Sequence, residues 1–176
     1  WRSYKNDESY FQDEILENEM KPTTWRNRTL RFSYEEIDMP DAGEYMGLYS
    51  IGAYDRLNPW LYGGITLYGA ASGRRGGFFT GGYTLGVDRQ LTDNWIFDSG
   101  VYVGAGGGGS AAQGGGLMIR PHVGLKYDMG WSALGLNYSY IDFPNGDISS
   151  DAFTLFLDIP FTSPTLNWED DGLSVA

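Results

Sequence analysis

Strict alternation of apolar with small or polar residues recurs through most of this 176-residue chain, and it limits the fold more than any other feature does. Period two is the repeat of a strand with unlike faces. Eight segments carry it: 29–35, 44–54, 59–69, 78–88, 94–104, 117–127, 131–141 and 151–161. In the first, Leu30, Phe32 and Tyr34 oppose Thr29, Arg31, Ser33 and Glu35. In the third, Leu61, Ile65 and Leu67 oppose Tyr62, Gly64, Thr66 and Tyr68; in the last, Phe153, Leu155, Leu157, Ile159 and Phe161 oppose Thr154, Phe156 and Asp158. The 26 glycines and 28 aromatic residues (6 Trp, 13 Tyr, 9 Phe) reinforce an all-β reading.

The connections differ in length in a regular way. Those around Leu57-Asn58, Thr92-Asp93 and Met129-Gly130 are short; those over 39–43, 71–77, 105–116 and 143–150 are longer. Strict alternation of short and long gives a sheet with one trimmed end and one elaborated end. Trp25, Trp60, Trp95 and Trp131 stand 35, 35 and 36 residues apart, each at the start of an odd-numbered strand. One hairpin is therefore one repeat, and closure of the strands would set the four indoles in a ring at the short-turn end. Such a ring suits a membrane interface, although tryptophans could also plug the bottom of a soluble barrel.

The two faces favour the membrane. The second face is mostly Gly, Ser, Thr and Tyr with a few charges of both signs: Arg31, Glu35, Asp98, Arg120, His122, Lys126 and Asp158. A narrow membrane barrel turns its apolar face to lipid and fills its lumen with small and hydrogen-bonding groups, pairing its ions. The expected architecture is an eight-stranded antiparallel up-and-down transmembrane barrel over 25–161, placed in the cell outer membrane. An acidic N-terminal segment, 1–24, and a polar tail, 162–176, would lie on the periplasmic side. A short helix with Phe11, Ile15 and Leu16 on one side is expected in the first, and Trp168, Glu169, Asp170 and Asp171 mark the second as a partner-binding element. Pro121 within strand six calls for a bulge or a later strand start.

Composition closes several other routes. With no cysteine and one histidine, thiolate chemistry, disulfides and multi-histidine metal sites are excluded, and no metal or cofactor is expected. Net charge −11 repels nucleic acid. The run Gly104 to Ser110 lacks the Lys-Ser/Thr and the following helix of a phosphate-binding loop, so it reads as an external loop. His122 is the one group suited to general-base work near neutral pH. A turn centred between Met129 and Gly130 would place it opposite Asn137 and diagonal to Ser139, making a Ser-His pair oriented by Asp98 or Asp158 conceivable beside a structural lumen network.

The whole 25–161 region resembles a small outer-membrane β-barrel, and Phe153 to Phe161 resembles the aromatic-ended closing strand of such barrels; 15 residues follow it here. Leu136-Asn137-Tyr138-Ser139, with Pro144-Asn145 and the closing strand, resembles the last two strands of PagL-type lipid A deacylases. That resemblance implies a hydrolase in which Ser139 matches the catalytic serine and Asp151 the acid. Asn137 stands where the family has its histidine. Three functions follow: a non-enzymatic structural or accessory barrel contacting outer-membrane lipid, lipopolysaccharide and a protein partner in the periplasm or outer membrane; a divergent lipid A or phospholipid acyl hydrolase using Ser139 with His122 or Asp151; and a soluble lipocalin-like carrier.

Overall fold

The alternating segments become eight antiparallel strands in the computed structural model, which describes residues 23–39, 44–73, 76–109 and 114–166. They are β1 (Thr23–Met39), β2 (Glu44–Arg56), β3 (Leu61–Ser72), β4 (Phe79–Gln90), β5 (Trp95–Gly107), β6 (Leu117–Asp128), β7 (Ala133–Asp142) and β8 (Ser149–Leu166). They pair in chain order and close into a barrel. The chain divides into two compact units, residues 27–161 and residues 1–26 with 162–176, and the barrel is the first of them. The expected helix carrying Phe11, Ile15 and Leu16 lies outside the described residues, as do Trp168, Glu169, Asp170 and Asp171.

The strands run longer than the alternation suggests, and this changes the connections. Residues 57–60, 91–94 and 129–132 link strands at one end; 73–78, 108–116 and 143–148 do so at the other. The β1–β2 connection, 40–43, is as short as the first set, so the alternation of short and long fails there. β8 passes Phe161 and continues to Leu166. Its pairing with β7 stops at Asp158, so Pro160 and Pro164 sit where no N–H is demanded on that side. Pro121 needs neither a bulge nor a late start. It faces Val101 in an unbroken β5–β6 ladder, and the β6–β7 pairing keeps one register from Ile119↔Asp142 to His122↔Ser139 while skipping Arg120 and Pro121.

The β6–β7 turn is centred one residue later than the sequence suggests. Met129 N–H donates to Ser132 O at 2.8 Å, and Gly130 N–H to the Asp128 carboxylate at 2.7 Å. Gly130 adopts φ 90°, a left-handed conformation that only glycine enters without strain. The later centre sets His122 opposite Ser139 and Asn137 opposite Gly124, correcting the expected pairing by two residues.

The outer surface is apolar between two aromatic belts. Trp60, Trp95 and Trp131 are exposed at the short-turn end, with the Arg89 guanidinium 6.0 Å from the Trp60 ring and Trp95 edge-on to Tyr127 at 5.3 Å. The side chain of Trp25 lies outside the described residues. Toward the loop end the pairs Tyr34–Tyr49 (5.0 Å) and Tyr138–Phe153 (5.5 Å), with Phe79 and Tyr140, form a second belt. Among the described residues, the outward positions between the belts are mainly apolar, Ile65, Leu67, Leu85, Val101, Val123 and Leu136 being typical, and the Arg28–Asp55 ion pair sits outward near the short-turn end. From Trp131 to Tyr140 the rise is ~23 Å for strands tilted about 40°, close to the apolar height of an outer-membrane barrel.

The interior holds no room for large additions. On the lumen side of β4, Gly86 is covered by the ring of Tyr62, which a Cβ there would strike. Gly86→Val is expected to destabilise the barrel by about 1–3 kcal/mol, because Tyr62 must leave the place from which it bonds Asp98. The urea midpoint of the refolded protein measures this, and an unchanged midpoint would refute the packing argument.

Candidate functional site: the closed lumen

Alternation delivers the candidate residues to one side of the sheet. Arg31 on β1, Asp98 on β5, Lys126 on β6 and Asp158 on β8 all point inward and are buried. Burying an ion costs several kcal/mol unless partners replace its water. Here they do. Arg31 grips Asp158 through two bonds of 2.6 and 2.8 Å and reaches Asp98 through two of 3.2 Å. Its guanidinium also stacks 4.0 Å from the centre of the Phe156 ring. Asp98, fully buried, accepts further bonds from Tyr62 (2.9 Å) and Asn137 (3.1 Å), with His122 Nε2 at 3.4 Å. Lys126 lies 3.1 Å from both Asp88 and Asp158.

Asp88 and Arg56 were not among the residues singled out from the sequence. Arg56 forks onto Asp88 at 2.5 and 3.0 Å near the short-turn end. Both stand in phase with lumen residues: Asp88 closes the 78–88 segment in phase with Thr84 and Gly86, and extending 44–54 by two residues reaches Arg56, in phase with Tyr54.

A second cluster sits nearer the loop end. Arg120 donates to Glu35 and to Thr154 at 2.6 Å each, and the Thr154 hydroxyl bonds Glu35 in turn. Tyr54, Thr66 and Thr84 form a hydroxyl chain beside it, with spacings of 2.9 and 2.7 Å. Among the described residues, Arg31, Arg56, Arg120 and Lys126 face Glu35, Asp88, Asp98 and Asp158: four cations against four carboxylates.

Above this cluster the lumen turns apolar. Ile37, Met46, Leu48, Tyr68, Tyr102 and Met118 pack with Phe78, Ile141, Phe143 and Ile148 into a buried plug. Phe143 and Ile148 come from the β7–β8 connection, which folds inward with Phe143 N–H bonded to Ile148 O at 3.1 Å. Phe78 and Phe143 meet edge to face at 6.0 Å. A conducting pore needs a hydrated path, and among the described residues matched ions and an apolar plug fill the lumen. A lipocalin-like carrier needs the reverse distribution, an apolar cavity inside and a polar skin.

The hydrolytic constellation does not assemble. Ser139 is buried opposite His122, but its hydroxyl donates to the Ala152 carbonyl at 3.4 Å. The His122 imidazole faces Asp98, one of the two acids expected to orient it, and Tyr62. Asp151 is exposed on the outward face beside Tyr140, across the sheet wall from Ser139. A nucleophile inside and an acid outside cannot share one proton path.

Comparison with solved structures finds the same architecture. Neisserial surface protein A (NspA) matches with a TM-score of 0.53 at 11% identity, over 80% of this chain and 99% of that one. The Yersinia pestis outer membrane protein Ail, in a phospholipid bilayer nanodisc, matches with a TM-score of 0.48 at 13% identity, over 77% of this chain and 99% of that one. No protein-family model matches the chain. No curated protein matches it in sequence. The fold is that of a small outer-membrane β-barrel.

Proposed function

We propose that this protein resides in the outer membrane as a closed barrel that passes no solute and catalyses no reaction inside, and that it serves as a structural or accessory subunit of an envelope assembly. The observation that carries the first half is the filled lumen: four matched ion pairs' worth of charge under an apolar plug. Lipid and lipopolysaccharide acyl chains would contact the apolar outer surface. The acidic segments 1–24 and 162–176, each with three net negative charges, would hold the protein partner. NspA is a surface protein by its name, and the shared fold is consistent with an envelope role here.

Two measurements test the proposal. Reconstituted in planar bilayers, the protein is expected to give no conductance steps; stable openings would overturn the closed-lumen reading. Deleting residues 1–22 and 167–176 together is expected to release proteins that co-purify from solubilised envelopes, whereas full retention of those partners would sink the accessory role.

The lipid A hydrolase implied by the deacylase resemblance gains no support from the placement of Ser139, His122 and Asp151. Ser139→Ala is accordingly expected to leave lipid A acylation in the host envelope unchanged, as read by mass spectrometry. A loss of deacylated lipid A in that variant would restore the enzyme reading.

A further inference from the structure

Between the two ion clusters lies a small cavity, about 10 Å³ in volume. That is about the least space a single water molecule occupies. Arg120, His122 and Asn137 all line it, and each is buried with one polar atom lacking a protein partner: Arg120 Nε, His122 Nδ1 and Asn137 Oδ1. Leaving three such atoms dry in a low-dielectric interior is costly, so their coincidence around one cavity points to a ligand.

The roles of these atoms decide the ligand's chemistry. Asn137 commits its amide nitrogen to Asp98, so its oxygen, which lies over Gly124, is left as an acceptor without a protein partner. His122 directs Nε2 at the Asp98 carboxylate, so a neutral imidazole carries its proton there and offers a lone pair at Nδ1. Arg120 Nε–H is a donor. The three unpartnered atoms thus comprise one donor and two acceptors, beside lining hydroxyls that already have partners. A metal cation would lie against the Arg31 and Arg120 guanidinia, which also line the cavity. A halide would lie against an amide oxygen and an imidazole lone pair. Water accepts once and donates twice, and meets all three demands.

We propose that this cavity is a binding site for one water molecule, which donates to Asn137 Oδ1 and His122 Nδ1 and accepts from Arg120 Nε. The water joins two clusters that have no direct bond in this layer: Asn137 belongs to the Asp98 cluster, and Arg120 to the Glu35–Thr154 cluster. With it the hydrogen-bonded column is continuous from Arg56 near the short turns to Glu35 beneath the apolar plug. This holds whether or not the accessory role proposed above is correct, since it concerns only the lumen.

A crystal structure of the full chain from crystals soaked in bromide tests it. The expected result is one solvent peak in the cavity, within hydrogen-bonding distance of all three atoms and without anomalous signal at the bromine edge. An anomalous peak there would show a halide site, and featureless density would show a dry void; either overturns the proposal. Asn137→Leu, which removes one acceptor and fills the space, is expected to lose the peak while the barrel fold persists. If that variant does not fold, the unaltered protein in micelles supplies the second reading. Cross-relaxation between a long-lived water and the Asn137 side-chain amide is expected, and its absence with the amide resonance assigned counts against the site.

Discussion

Asp98→Ala is expected to destabilise the barrel by about 3–5 kcal/mol, the usual cost of removing one partner from a buried ion cluster. Five groups converge on this carboxylate from four strands: Arg31 of β1, Tyr62 of β3, His122 and, at 4.0 Å, Lys126 of β6, and Asn137 of β7. Without it, Arg31 retains Asp158 as its one carboxylate partner, while Tyr62 and Asn137 lose the acceptor they share. Asp98→Asn, which keeps the shape and removes the charge, should fall between the variant and the native protein. The contrast is Asp55→Ala, which breaks the partly exposed Arg28–Asp55 pair of 2.6 Å and is expected to cost about 0.2–1 kcal/mol. Equilibrium urea unfolding in phospholipid vesicles measures all three. An Asp98→Ala midpoint close to that of Asp55→Ala would mean that the cluster is not the mechanical centre of the lumen.

Leu85→Arg is the second large effect expected, about 2–4 kcal/mol against insertion and stability in a bilayer. Leu85 faces outward at the middle of β4, six residues from Phe79 at one end and six from Leu91 at the other. Neither end is within easy reach of a guanidinium held at mid-depth. Gln90→Arg, at the short-turn end near Trp60 and Arg89, is expected to cost about 0–1 kcal/mol, because charge near the interface remains hydrated. Refolding yield into vesicles and urea midpoints give the difference. In a water-soluble barrel the ranking would vanish, since an outward arginine there replaces an exposed leucine. Equal stabilities would therefore refute the membrane assignment itself.

Much of the lumen was legible in the sequence because a strand has a period of two. Once Leu30, Phe32 and Tyr34 are assigned to one face, Arg31, Ser33 and Glu35 must take the other, and the same logic carried Asp98, Arg120, His122, Lys126 and Asp158 inward. Membership of a face is a local property. Which inward residues meet is not, because closure and register set that. The β6–β7 turn shows how little is needed: Gly130 in the left-handed region moves the centre by one residue, and the partner of His122 changes from Asn137 to Ser139. Asp151 illustrates the other limit. It lies near Ser139 in sequence, yet its odd position in β8 turns it to the outside.

The sequence by itself determined the strand number, the inward and outward faces, the tryptophan repeat and the absence of thiol chemistry, all of which follow from local periodicity or composition. Only the tertiary structure decided the pairing of Arg31 with both Asp98 and Asp158, the recruitment of Arg56 and Asp88, and the apolar plug that Phe143 and Ile148 complete from a connection with no periodicity to read. The physical reason is range. Alternation is enforced within a few residues by backbone geometry, whereas ion pairing and plugging depend on side chains separated by up to 127 positions, which come together only when the barrel closes.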